Sequence, residues 1–208
     1  AEIIDPANIT PSAPYTFFLY QVDAINDPND MVSATHHTMD KVQSDGGRNI
    51  WLDGGANSGP AGNGPHGDNT PHPTTGQAGL SWIQFSFDQP YDIQTINVWN
   101  TVMSNDGVNT WGERYGFKNT YFHYSTDNTN WTQLAYTVIP GAHDSGGVEG
   151  AATYEAGGYD ADLSLDAGGI NAQYVVLTAV DSYWDLGPVA YAGLGQVQFE
   201  IAGASTDF

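Results

Sequence analysis

The chain has 208 residues, no cysteine, and 24 acidic against 4 basic side chains, a formal charge of -20. Four cations cannot supply the basic patch that a nucleic acid or an anionic membrane surface requires, and no apolar run approaches a membrane span. Disulfide frameworks and thiolate chemistry are excluded with the cysteines, while the length suits one sizeable domain.

The first residues, Ala-Glu-Ile-Ile, are compatible with a mature end left by signal-peptide cleavage. Pro6, Pro11 and Pro14 confine the start of the chain to a sheet edge or an extended arm. The apolar run TFFLYQV at 16–22 then predicts a strand. Turn-rich sequence with Asp27, Asp30, Asp40 and Asp45 follows. From Asp53 to Gly79 the chain is so rich in glycine and proline that it predicts a long surface loop, in which His66, Asp68 and His72 are a zinc option.

Apolar and polar residues alternate in WIQFSFD at 82–88, IQTINVWN at 93–100 and NTYFHYSTD at 119–127. That period of two turns one face of each strand into a core and the other toward water. Gln89-Pro90 reads as a short connector between the first two runs, and residues 125–130 read as a tight hairpin in which Asn128 takes a positive φ. After a second glycine-rich connection at 138–159, DLSL at 162–165, AQYVVLTAV at 172–180 and LGQVQFEIA at 194–202 supply further strands. No segment sustains a period of 3.6, so helix is expected to be scarce and the architecture to be a β-sandwich or barrel.

The succession W-I-x-F-x-F-D, I-x-x-I-x-V-W-N and Y-S-T-D-x-x-x-W, then Tyr174 to Thr178 and Gly193 to Phe199, resembles the discoidin (coagulation factor 5/8 type C) group. The resemblance implies an all-β jelly-roll β-sandwich of the galactose-binding type, with long Gly/Pro-rich loops and little helix. It covers residues 27–202, leaving 1–26 as an N-terminal arm with a first strand and 203–208 as a tail. Many bacterial members are carbohydrate-binding modules. They carry a structural calcium on an irregular loop that matches the region of Asp40 and Asp45 here. Gln196 stands where relatives often have a glutamate ligand, so the site is expected to be weakened or moved toward Glu200. A histidine and an arginine commonly contact the sugar in galactose-binding relatives; here these correspond to His36 or His37 and to Arg114. Trp51, Trp82, Trp99 and Trp131 fall where the group packs tryptophan on the sandwich.

The loop residues themselves also suit a sugar, which presents C–H faces to aromatic rings and hydroxyls to planar polar groups. Trp111 with Arg114, and Tyr183, Trp184 and Asp185, are the candidates, together with His36 and His37. No nucleophile elbow, zinc-protease motif or phosphate loop is present. Asp181 and Asp185, bracketing Tyr183-Trp184, are the residual candidates for a glycosidase pair. The expected function is a secreted, non-catalytic, calcium-stabilised module at the cell surface or beyond, binding a neutral or galactose-type carbohydrate. The alternative is a self-assembling surface or filament subunit, a homo-oligomer joined through its N-terminal arm; a glycan-active enzyme comes third.

Overall fold

The computed structural model describes residues 1–13, 31–33, 36–37, 51–54, 71–77, 81–100, 116–140, 160–183 and 191–203, with only the backbone described for 31–33, 36–37, 51–54 and 191. Ten strands are found there: β1 (Glu2–Ile3), β2 (Ile9–Ser12), β3 (Met31–Ser33), β4 (His36–His37), β5 (Trp51–Gly54), β6 (Ser81–Asn100), β7 (Asn119–Ser125), β8 (Thr132–Val138), β9 (Leu163–Ala179) and β10 (Tyr191–Ile201). The only helical turn among the described residues is the 3-10 turn Pro6–Asn8, started by a proline and capped by Asp5, whose Oδ1 accepts from the Ala7 N–H at 2.9 Å. β3 and β4 form a two-stranded antiparallel pair.

All other strands belong to one antiparallel hydrogen-bonded system, ordered β1-β10-β6-β9-β7-β8, with β2 added along β6 and β5 along β10. β6 and β9 are long because each serves two layers. The first half of β6 pairs with β2 and with the second half of β9, which in turn pairs with β7 and then β8. The second half of β6 pairs with β10 and with the first half of β9. Phe85 and Phe87 of the first layer meet Phe199 of the second edge to face, with ring centroids 5.1 and 4.9 Å apart. The two layers are therefore packed face to face, as a jelly-roll sandwich requires.

Here the structure corrects two sequence expectations. Gln89-Pro90 is not a connector between separate strands, and the runs at 162–165 and 172–180 are not separate either. Both lie in continuous strands that bend, with register irregularities between Ser86 and Tyr91 and between Ile93 and Thr95. At the bend Pro90 removes a ladder donor where residues 88–90 are exposed, and Gly168 and Gly169 supply φ values of 64° and 76° that other residues resist. Asn128 does take a positive φ of 58° in the β7–β8 hairpin. There the Asp127 carboxylate accepts from the N–H groups of Thr129 and Asn130 at 2.9 and 2.7 Å. These bonds hold its carboxyl well below the usual carboxylate range.

The alternation carries the core. Ile83, Phe85 and Phe87 of β6 lie beside Val175 and Leu177 of β9 and, next along, Phe122 of β7 on the inner face of the first layer, while Ile96, Val98, Val197 and Phe199 line the second layer. Residues 1–12 join this system: Ile4 and Ile9 are core residues, β1 lies along the edge of β10, and β2, with Pro11 opposite Phe85, lies along the edge of β6. An edge position tolerates the missing proline N–H. Trp82 and Trp99 are buried and Trp131 is half-buried; the predicted strand at 16–22 lies outside the described residues.

Candidate functional site

One end of the sandwich differs from the other. The far end closes by tight structures: the bend at 88–91, the 126–130 hairpin and the 166–171 bend. At the near end the cross-strand pairs Thr120–Ala179, Ser81–Ala179 and Leu194–Asn100 bring strand ends of both layers together. The connections 101–115, 141–159 and 184–190 all leave and re-enter the described chain there, and Gly54, paired with Tyr191, ends β5 at the same place.

Three polar side chains hold these ends in position. Asn100, buried at the end of β6, donates through Nδ2 to the carbonyls of Phe117 at 2.8 Å and Pro140 at 2.9 Å, and its own N–H donates to Asp162 Oδ2 at 2.7 Å. One amide thus fastens the flanks of two connections. A Cβ on Gly116 would fall 2.6 Å from Asn100 Cγ and 2.8 Å from Nδ2, so only glycine allows the chain to pass that close. Asp181 takes the N–H of Asn119 at 2.8 Å and the Asn119 side-chain amide on both oxygens, at 3.0 and 2.8 Å. Tyr183 donates its hydroxyl to Ile139 O at 2.8 Å, and Lys118 Nζ lies 5.4 Å from the centre of its ring. These features escape sequence patterning because each joins residues far apart in the chain.

The residues singled out from sequence fall into three groups. Trp111, Arg114, Trp184, Asp185, Asp40 and Asp45 lie outside the described residues. His36 and His37 form β4, across from Met31 and Ser33, in a two-stranded pair not hydrogen-bonded to the main sheet system. Tyr183, Gln196 and Glu200 are described in full. Tyr183 sits at the loop-bearing end with its hydroxyl on Ile139 O and its ring beside Lys118 Nζ.

Gln196 and Glu200 lie four residues apart on an extended strand, with their Cα atoms about 13 Å apart. Glu200 also accepts from Asn97 Nδ2 at 2.7 Å. Gln196 is different: it is 1% exposed and its Oε1 has no hydrogen-bond partner. A buried acceptor without a donor is costly, and a hard cation takes such an oxygen readily. Gln196 thus offers a buried, unpaired oxygen at the position where the resemblance implies a ligand. Among the described residues no group of three or more His, Asp or Glu is placed to hold a metal.

The zinc option loses a member. His72 is buried on the outer face of the first layer, where its Nδ1 accepts from the Thr74 N–H at 3.1 Å and its Nε2 meets Thr178 Oγ1 at 2.6 Å. With Nδ1 accepting, Nε2 carries the hydrogen and donates. Burial, and secondarily the nearby His123, pushes the His72 pKa down to about 4. Both nitrogens are committed to holding the 71–77 turn on the sheet, so His72 is a structural residue; His66 and Asp68 lie outside the described residues.

No family model and no curated protein matches the sequence. Solved structures do. The family 32 carbohydrate-binding module of Clostridium perfringens NanJ, in complex with galactose, superposes with a TM-score of 0.54 at 11% identity, covering 95% of this chain and 96% of that one. The fold is that of these carbohydrate-binding modules. A second C. perfringens module, CpGH89CBM32-5 in complex with GalNAc-β-1,3-galactose, gives 0.52 at 11% identity over 97% of this chain and 100% of its own. A third, from a C. perfringens family 31 glycoside hydrolase, gives 0.50 at 18% identity over 96% and 95%. Coverage near the full length on both sides means that the two-layer sandwich, and not a fragment of it, is the shared unit. The discoidin-type jelly roll expected from the strand sequences is thus the fold observed.

Proposed function

We propose that the protein is a non-catalytic carbohydrate-binding module that takes a neutral, galactose-type glycan at the loop-bearing end of its sandwich. The observation that carries this reading is the full-length likeness to modules solved in complex with galactose and with GalNAc-β-1,3-galactose. The charge of -20 agrees with a neutral ligand, since an anionic glycan would be repelled. In this reading Trp111 and Trp184 supply stacking faces, Arg114, Asp185 and His36 or His37 supply hydrogen bonds to hydroxyls, and Tyr183 supplies ring contact.

Calcium is proposed as the structural cofactor, with Gln196 Oε1 and the carboxylates of Asp40 and Asp45 as ligands. The orphaned, buried Oε1 supports it. The protein is further proposed to be exported and to act at the cell surface or beyond; no helix of the described residues is long and apolar enough to cross a membrane. A single-module mode of action is proposed ahead of a filament; β1 and β2 of the arm are accommodated on β10 and β6 of their own chain. A glycosidase role for Asp181 is disfavoured by its three hydrogen bonds from Asn119, which give the carboxylate a fastening task.

A glycan array, probed with and without calcium, tests the reading. Binding to galactose-terminated or GalNAc-terminated glycans is expected, with weakening after EDTA. Binding restricted to sulfated or uronic glycans, or no glycan binding in calcium, would overturn it.

A further inference from the structure

The outward face of the first layer carries a row of side chains directly opposite one another across four strands: Tyr136 on β8, Tyr121 on β7, Thr178 on β9 and Trp82 on β6. At the Trp82 end the row is covered by the 71–77 turn, where His72 bonds Thr178 and meets the Trp82 ring at 6.0 Å. At the other end it is open. Tyr136 is 51% exposed and its ring lies against Tyr121, with centroids 4.4 Å apart and planes tilted by 30°. Val138 and Val180, 47% and 42% exposed, flank Asn119 on the same face, one row nearer the loop-bearing end.

Single exposed apolar residues are ordinary, but here the three exposed large apolar residues among those described gather in one patch, which is a mark of an interaction surface. Its chemistry narrows the partner. Residues 119–123, 133–138 and 176–180 contain no Asp, Glu, Lys or Arg, although the chain as a whole carries -20. Its bordering ionic groups, Lys118 over the Tyr183 ring and Asp181 bonded to Asn119, are already engaged, so a charged partner would find little to pair with, and a second copy would bring the same large negative charge with it. A pyranose ring needs neither: its C–H face stacks on a tyrosine ring, and its hydroxyls pair with phenol and amide groups such as those of Tyr121, Tyr136 and the exposed Gln133.

We propose that this outer face, centred on Tyr136 stacked on Tyr121, is a second contact surface for a neutral polysaccharide chain, distinct from the loop-bearing end. Tyr136 lies three residues before Ile139, or about 10 Å along β8 from the strand ends that carry the loops. A glycan anchored at the loops by one sugar therefore continues across this face with later sugars. The inference rests on the proposed function in taking the ligand to be a glycan.

The test is calorimetric titration of wild type, Tyr136→Phe and Tyr136→Ala with galactose and with a linear galactan oligosaccharide, alongside sedimentation velocity. Because Tyr136 is exposed, its truncation spares the core. Tyr136→Ala is expected to weaken oligosaccharide binding about tenfold, equivalent to about 1.4 kcal/mol. Galactose binding is expected to be unchanged, and Tyr136→Phe to retain most of the oligosaccharide affinity. Oligosaccharide binding that depends on Tyr136 without any galactose binding would uphold this face while overturning the loop site. Galactose binding with no effect of Tyr136→Ala on the oligosaccharide would overturn this face alone. No binding of either sugar, or self-association that Tyr136→Ala abolishes, would overturn the glycan reading of the face.

Discussion

The coupling between Asn100 and Gly116 is the sharpest consequence of the loop-bearing end. Truncation by Asn100→Ala removes two side-chain hydrogen bonds, to Phe117 O and Pro140 O. At about 1 kcal/mol each, with about 1 kcal/mol more for lost packing at a buried site, the variant is expected to lose about 3 kcal/mol. Gly116→Ala acts through the same amide. The φ of Gly116 lies outside the left-handed region, so alanine is acceptable to the backbone, and the whole cost comes from a methyl group 2.6 Å from Asn100 Cγ. Displacing the amide breaks the same two bonds, at a cost of about 2–3 kcal/mol. In the double variant the methyl group has room, and the second substitution adds under about 1 kcal/mol. A urea-unfolding cycle on the four proteins is therefore expected to show a coupling of about 2 kcal/mol. Costs that add within about 0.5 kcal/mol would refute the claim that one amide and one glycine together fasten this end.

Three further outcomes are expected. The His72 pKa is lowered in the folded state, so its contribution to stability is complete above about pH 6.5, where the unfolded histidine is neutral, and is lost as pH falls through about 4. Unfolding measured from pH 7 to 4 should be less steep in His72→Gln than in wild type, and an unchanged slope would remove His72 as the cause. Deleting residues 1–12 strips Ile4 and Ile9 from the core and uncovers the edges of β6 and β10, so light scattering is expected to find a monomer with a lower melting temperature. A large assembly that dissolves on deletion would instead promote the filament reading. Finally, Trp82→Ala, at a site 6% exposed, should cost about 3–5 kcal/mol, whereas Trp111→Ala and Arg114→Ala should abolish glycan binding with the melting temperature retained. Loop variants of full affinity would move the site elsewhere.

What could be read from the chain alone was whatever repeats locally. The alternation in 82–88 and 93–100 named the inward residues, from Ile83 to Val98, because a strand's side chains alternate whatever it pairs with. Asn128 could be assigned its positive φ because a two-stranded turn imposes it within a few residues. The lack of basic residues excluded polyanionic partners without any coordinates. Tertiary structure alone decided that Ser81–Asn100 is one strand serving two layers, that Asn100 reaches Phe117 and Pro140, and that His72 is a buried fastening residue rather than a metal ligand. It also decided that Tyr136 stands in the open beside the half-buried Tyr121. Each of these depends on register between segments distant in sequence. A shift of one residue in that register would turn Tyr136 to the opposite face, and no local pattern in β8 records which register the closing of the sandwich selects.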